Sequence, residues 1–380
     1  MRFLEMDRRT CDTLLPGLLT ELAAVPQAEL EAPLSPAIGL FRTHGGSNLL
    51  VPGAFGGLDA TALDAARVVR ALGAAAPSLA VATAMHHFSI GTLYGVADVF
   101  ADSSDLDEIL LKRVAEERLL VASGFAEGRS GQGILSPTLT ARPVDGGYLL
   151  TGSKKPCSLS QSMDLLTASV GLPQPDGTAG FGLLLLPADT PGISVHPFWR
   201  NFALAGAESD EVRLTDVFVT DAQILQLPPE FAELFVEQQQ VGLIWFQMIV
   251  CAAYTGIASA LVDQVLARTR GTAADRAALA VRAESAAALT EGIARRVMAG
   301  DVGNDGLVAA LANRFTVQDL IRDTVGHAVE LLGGMAFITS SEVAYLVAAA
   351  QAIGFHPPSR ASMAEGMAGH YTDGTPLVVS

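Results

Sequence analysis

The chain has 380 residues, 24 of them basic and 40 acidic, and half are hydrophobic, with a mean hydropathy of +0.37. A formal charge of −16 excludes nucleic acid as a partner, since neutralising phosphates needs clustered Lys and Arg, and it works against an anionic membrane surface. The high apolar share points instead to much surface buried between helices or between subunits.

The N-terminus, Met1-Arg2-Phe3-Leu4-Glu5-Met6-Asp7, carries charges where a signal peptide needs an apolar core. Residues 59–72 repeat apolar side chains at helical spacing, and residues 78–86 continue in small and apolar types suited to close packing. Between them and the first segment, Val51-Pro52-Gly53-Ala54-Phe55-Gly56-Gly57-Leu58 is a turn-rich break, because Pro and Gly are costly inside a helix. Acidic residues 102–108 read as a loop or helix start ahead of residues 109–117. These segments make an N-terminal helical domain over residues 1–118.

From residue 119 the texture changes to short strands separated by turns, at residues 138–143, 146–152, 164–172, 180–186, 192–195 and 209–219. Asp145-Gly146-Gly147 is a hairpin signal. The expectation is a central antiparallel β-barrel or sandwich over residues 119–228. After Pro228-Pro229 the pattern is helical again, over residues 231–268, 273–299, 305–332 and 340–353, which makes a C-terminal four-helix bundle in residues 229–380. Residues 355–380, rich in Gly and Pro, read as an irregular tail. Residues 241–262 carry no charge and are long enough to span a bilayer, but Trp245-Phe246-Gln247 at mid-segment favours a buried bundle helix and no membrane. The fold class is therefore α+β and multi-domain. Cys11, Cys157 and Cys251 are far apart and odd in number, the usage of a cytoplasmic protein with reduced thiols.

Three motifs stand in that frame. Ala126-Glu127-Gly128-Arg129-Ser130-Gly131-Gln132-Gly133, following Phe125, has Gly at three of eight positions, so backbone amides can approach a ligand closely. Pro156-Cys157-Ser158 closes a strand with a hydroxyl. Glu330-Leu331-Leu332-Gly333-Gly334-Met335-Ala336-Phe337 ends a long helix at two glycines. In this order and texture they resemble the acyl-CoA dehydrogenase family of FAD enzymes, over nearly the whole chain. The first is similar to the family's T-E-P-x-x-G-S-D stretch along the flavin and pyrophosphate, with Glu127 and Gly131 kept and Ala126, Gly128 and Gln132 substituted. The second is similar to the W-I-T segment, keeping the hydroxyl at Ser158 but losing the aromatic. The third resembles Q-x-x-G-G-x-G-[YF], with Glu330 for Gln. Arg270 stands where the family places an arginine on the pyrophosphate across a dimer, with Arg268 as its competitor. The resemblance implies FAD, contacts from Phe125, Ala126, Glu127, Gly131, Gln132, Pro156, Cys157, Ser158, Arg270, Glu330, Gly333 and Gly334, and a homodimer or homotetramer.

The same resemblance implies α,β-desaturation of an acyl thioester, tethered to CoA or to an acyl carrier protein, in which a carboxylate takes the α-proton. That glutamate is missing. Its usual position reads Phe355-His356-Pro357-Pro358, and the minority position reads Ile244-Trp245-Phe246-Gln247. Three readings follow: His356 serves as base, or the protein is one of the family's flavin monooxygenases, or the site is degenerate and binds without oxidising. Glu365, His370, Asp373 and one of His86 and His87 are further candidates to face a substrate. Lys112, Arg113 and Arg118, then Lys154 and Lys155, are the basic clusters available to a carrier protein. No metal site is indicated.

Overall fold

Helix α1 (Glu5–Leu14) lays buried Asp7 and Cys11, one turn apart, against α5 (Ala62–Ala75), whose N-terminus closes a capping box between Thr61 and Asp64. The computed structural model describes residues 2–100, 112–128, 137–174, 179–225 and 232–379. It divides into two compact units, one made of Met1–Arg118, Asn201–Ala207 and Gln240–His356, the other of Leu119–Arg200, Glu208–Gln239 and Pro357–Ser380. The acidic segment 102–108 lies outside the described residues.

In the first unit α1 is followed by α2 (Leu18–Ala24), α3 (Gln27–Leu30), α4 (Pro36–Thr43), α5 and α6 (Pro77–Phe100). The long helices α7 (Ala232–Ala267, of which the part from Gln240 lies in this unit), α8 (Ala273–Met298) and α9 (Asn304–Leu332) follow, then short α10 (Gly334–Thr339) and α11 (Ser341–Gln351). α7 has the length and apolarity to cross a membrane, yet 83% of its most apolar stretch is buried inside the protein, the environment of a core helix. Its approach to α5 runs through two glycines. A Cβ on Gly73 would sit 2.2 Å from the Ala253 carbonyl oxygen, and one on Gly256 would sit 2.2 Å from that of Arg70, so neither position tolerates a side chain. Buried Arg70 ties the same region together, donating to Asp7 Oδ2 at 3.1 Å, Ser259 Oγ at 3.3 Å and Glu284 Oε1 at 2.8 Å. α8 opens with a second capping box, Thr272 with Asp275.

The second unit is built on an eight-stranded, curled sheet of order β6-β7-β3-β2-β4-β5-β8, with β1 set against β4. Its strands are β1 (Val121–Gly124), β2 (Thr140–Val144), β3 (Gly147–Cys157), β4 (Leu165–Pro173), β5 (Ala179–Pro187), β6 (Ile193–His196), β7 (Asp210–Val219) and β8 (Ile224–Leu225). The Asp145-Gly146 turn joins β2 to β3 with Val144 opposite Gly147, and Gly146 at φ 78° supplies the left-handed residue that the turn requires. Sequence reasoning expected antiparallel pairing throughout. β1 and β2 instead run parallel to β4, because the β2–β3 hairpin intervenes before the chain returns beside β1. The tail expected to be irregular forms α12 (Arg360–Asp373). Ser359 Oγ accepts from Ser362 N at its start and Gly374, at φ 75°, ends it, so cap chemistry outweighs the two glycines inside. Cys11, Cys157 and Cys251 are free and buried, and burial pushes each thiol up to about 12.

Candidate functional site

Candidate residues occur in both units. In the sheet unit, β1 delivers Gly124, where an added Cβ would lie 2.9 Å from the Thr167 carbonyl oxygen, so the strand sits hard against β4. Phe125 and Ala126 follow, half-buried, and the Ala126 carbonyl accepts from Lys155 N at 2.8 Å. Glu127 turns its carboxylate inward. It accepts from Lys154 Nζ at 2.6 Å, from Thr138 N at 2.9 Å and from Leu139 N at 3.3 Å, and also from the Thr138 hydroxyl. Burial alone would raise this carboxyl, but Lys154 and Thr138 hold it below the ordinary carboxylate value. Glu127 is thus committed to the sheet, where it ties residues 127 and 138 together.

Lys154 is wholly buried and also reaches Ser169 Oγ at 3.1 Å. Lys155 pairs with Glu211 at 2.8 Å, and Arg213 pairs with the same carboxylate at 2.7 Å. The two lysines therefore do not form the carrier-facing patch that their adjacency in sequence suggested. Cys157 is buried, and the Ser158 hydroxyl stands 2.9 Å from that of Ser209. Pro156, between them and Lys155, is exposed. Gly131 and Gln132 lie outside the described residues.

The helical unit joins two motifs 60 residues apart, 330 against 270. Gly271, left-handed at φ 71°, packs on α9, where an added Cβ would lie 2.7 Å from Leu331 Cδ2. Arg276 donates to the Gly271 carbonyl at 2.6 Å and fixes that turn. Arg270 is therefore held beside the end of α9, exposed, with no ion-pair partner among the described residues. Glu330 is exposed on the last turn of α9, and at Gly333 and Gly334 nothing occupies the space a side chain would take. A free guanidinium beside open backbone is a donor set that fits a flavin diphosphate. Next to it Met335, Phe337 and Ile338 expose 69%, 44% and 76% of their surface, an apolar strip unusual on a solvated helix.

Elsewhere in this unit lie both positions at which the resemblance places the family's base. They come together: the rings of Phe246 on α7 and His356 are 5.9 Å apart, and Tyr254 Oη lies 2.8 Å from His356 Nε2. Phe88 of α6 packs edge-on to Phe246 at 5.4 Å, and Gln247 is fully buried. No carboxylate stands among these side chains. Burial, aided by the positive Arg314, pushes His356 down to about 3, which makes it a poor proton acceptor at neutral pH. His86 and His87 are both wholly buried, His86 bonded to the Ser47 carbonyl at 2.8 Å, so neither presents a ring to solvent. In the sheet unit's α12, Asp373 caps Thr375 N at 3.0 Å, and Glu365 and His370 lie along the same helix. Arg113 pairs with Glu117, and Arg118 donates to the Thr43 carbonyl, so two of the three residues in the first basic cluster are engaged locally. Tyr254 is the site residue that sequence reasoning missed. Nothing around it marks it, since its role comes from a histidine 102 positions away.

No protein-family model matches the chain. It is 48% identical over 379 residues to isobutylamine N-hydroxylase of Streptomyces viridifaciens, covering all of both proteins. It is also 24% identical over 322 residues to an acyl-CoA dehydrogenase of Bacillus subtilis, across 80% of this chain and 81% of that one. The chain belongs to the acyl-CoA dehydrogenase-like family of flavin enzymes. Among solved structures, the FMN-bound TdsC of Paenibacillus sp. A11-2 superposes with a TM-score of 0.81 at 18% identity, over 100% of this chain and 99% of that one. For this member of the family, the fold and the flavin expected from sequence stand, as does its assignment as an oxidoreductase.

Proposed function

We propose that this chain is a flavin-dependent N-hydroxylase of a small primary amine. Desaturation was the main expectation from sequence, and the full-length similarity to isobutylamine N-hydroxylase favours its monooxygenase alternative instead. One structural observation supports the same choice. The two family base positions meet where Phe246 packs on His356, with an imidazole of low basicity and no carboxylate among the described residues there, which speaks against α-proton abstraction. Amine oxygenation needs none. When bound, a reduced flavin activates dioxygen: one oxygen atom enters the amine as R–NHOH and the other leaves as water, with two electrons from the flavin and two protons.

In this reading Arg270, Gly333 and Gly334 of a second copy of the chain hold the flavin diphosphate, which favours FAD, while the peptide groups of Phe125 and Ala126 with the Ser158 hydroxyl address its ring. The exposed strip Met335, Phe337 and Ile338 beside those glycines supports a homo-oligomer, and the three reduced thiols support a cytoplasmic setting. The deciding experiment supplies reduced flavin and oxygen to the protein with isobutylamine, then looks for the hydroxylamine. A parallel anaerobic sample receives acyl thioesters. Hydroxylamine without thioester bleaching supports the proposal; bleaching without hydroxylamine returns the function to desaturation.

A further inference from the structure

One imidazole in the helical unit keeps a nitrogen to spare. The phenol of Tyr254 is the single hydrogen-bond partner of His356 among the described residues, and it takes Nε2. Nδ1 has no hydrogen-bond partner among the described residues. The ring is half-buried and stands edge-on to Tyr254 and Phe246, with centroids 5.3 and 5.9 Å away. Charged and titratable groups facing it are Tyr254 from α7 and Arg314 from α9, while α6 contributes the neutral Phe88 through Phe246. Arg314 donates to Gln318 Oε1 at 3.0 Å and to the Ile353 carbonyl. The imidazole itself is neutral at pH 7, because burial and the nearby guanidinium both disfavour its charged form.

A primary alkylamine poses a specific problem here. Its pKa lies about three units above neutrality, so at pH 7 roughly one molecule in a few thousand carries the lone pair that must receive oxygen. Among the described residues, an ammonium brought beside Phe246 and His356 would meet no carboxylate, in surroundings of low polarity. The free base would forfeit only a hydrogen bond or two with water.

We propose, building on the N-hydroxylase reading, that His356 binds the substrate as the free amine: Nε2–H donates to Tyr254 Oη, and Nδ1 accepts one N–H of the amine, which leaves its lone pair for oxygen. Tyr254 is then a positioning residue that holds the ring by its Nε2 edge. The missing carboxylate becomes a selection device, since a Glu or Asp at that place would trap the ammonium.

The test measures isobutylamine binding to the oxidised holoenzyme by calorimetry, in two buffers of different ionisation enthalpy. Free-base binding releases about one proton per amine at neutral pH, and Kd tightens about tenfold for each unit that the pH rises towards the amine's pKa. His356→Phe keeps the proton release but weakens binding about tenfold, as loss of one hydrogen bond would. His356→Asp abolishes the release and the hydroxylamine product while flavin absorbance persists. Should either variant fail to fold, Tyr254→Phe, which weakens binding and increases peroxide leakage without changing the release, carries the same test. A wild-type Kd flat with pH and no proton release overturns the assignment. If hydroxylamine forms nonetheless, only the free-base inference falls; if no short amine is ever hydroxylated, the N-hydroxylase reading falls with it.

Discussion

Replacing Lys154 with methionine isolates the contribution of the ion pair that fixes the first motif. The lysine side chain is 0% exposed and its Glu127 partner 5%, at 2.6 Å, so each was fully desolvated on folding. Removing one member of such a pair costs about 3–5 kcal/mol, because the other charge stays buried and uncompensated. Glu127 would still hold Thr138 and Leu139, which places Lys154→Met at the lower end, about 3 kcal/mol. In Glu127→Met/Lys154→Met no charge is stranded. The double variant should therefore fall short of the summed single effects by about 2 kcal/mol. Urea unfolding followed by circular dichroism, with the m-value checked for constancy, measures all three. Because Glu127 joins residues 127 and 138, Lys154→Met should also release flavin at lower denaturant than the wild type does. Strict additivity, or a single-variant cost below about 1 kcal/mol, would refute the idea that burial makes this pair interdependent.

Arg270→Ala should weaken FAD by about 2 kcal/mol through loss of charged hydrogen bonds to the diphosphate, and leave FMN binding nearly unchanged, as read by flavin fluorescence. Equal weakening of both cofactors would move the arginine elsewhere. Ser158→Ala loses the 2.9 Å contact with Ser209 at a stability cost of about 1 kcal/mol, but should shift the visible spectrum of the bound flavin if the hydroxyl meets the ring. An unaltered spectrum leaves Ser158 a purely structural residue. Glu211 is held down to about 2 by Arg213 and Lys155, against an unfolded value of 4.5. Its folded pKa is the lower one, so its stabilisation is complete above 4.5 and drains away as pH falls towards 2. Glu211→Gln should flatten the acid limb of the melting curve in that interval, and an unchanged limb would contradict the assignment.

The long helices were legible because their signals are local. Apolar periodicity and glycine breaks bracket α7, α8 and α9 within a residue or two of their ends, and the Asp145-Gly146 turn announces its hairpin. The parallel placement of β1 against β4 was not legible, since it depends on where the chain goes after the hairpin and not on any residue in β1. The tail misled because Gly366 and Gly369 suggested irregularity, while the caps at Ser359 and Gly374 that make α12 are single residues easily outvoted by composition.

At the site, the same division between local and distant information explains what the sequence revealed about the reaction. Two empty base positions could be read directly, but the fact that they converge could not, nor could the chemistry of what fills them. Residue type alone made His356 a plausible base, since an isolated imidazole titrates near neutrality. Its surroundings weigh against that expectation. Burial first, and then Arg314 of α9, disfavour its charged form and leave a neutral hydrogen-bonding group, with Tyr254 of α7 as its partner. A histidine in the glutamate's place is then no defective dehydrogenase: desaturation demands a strong anionic base, whereas amine oxygenation is served by a site that admits the nitrogen uncharged. If the chain is an N-hydroxylase as proposed, the substitution that looks like loss within the family suits the changed reaction.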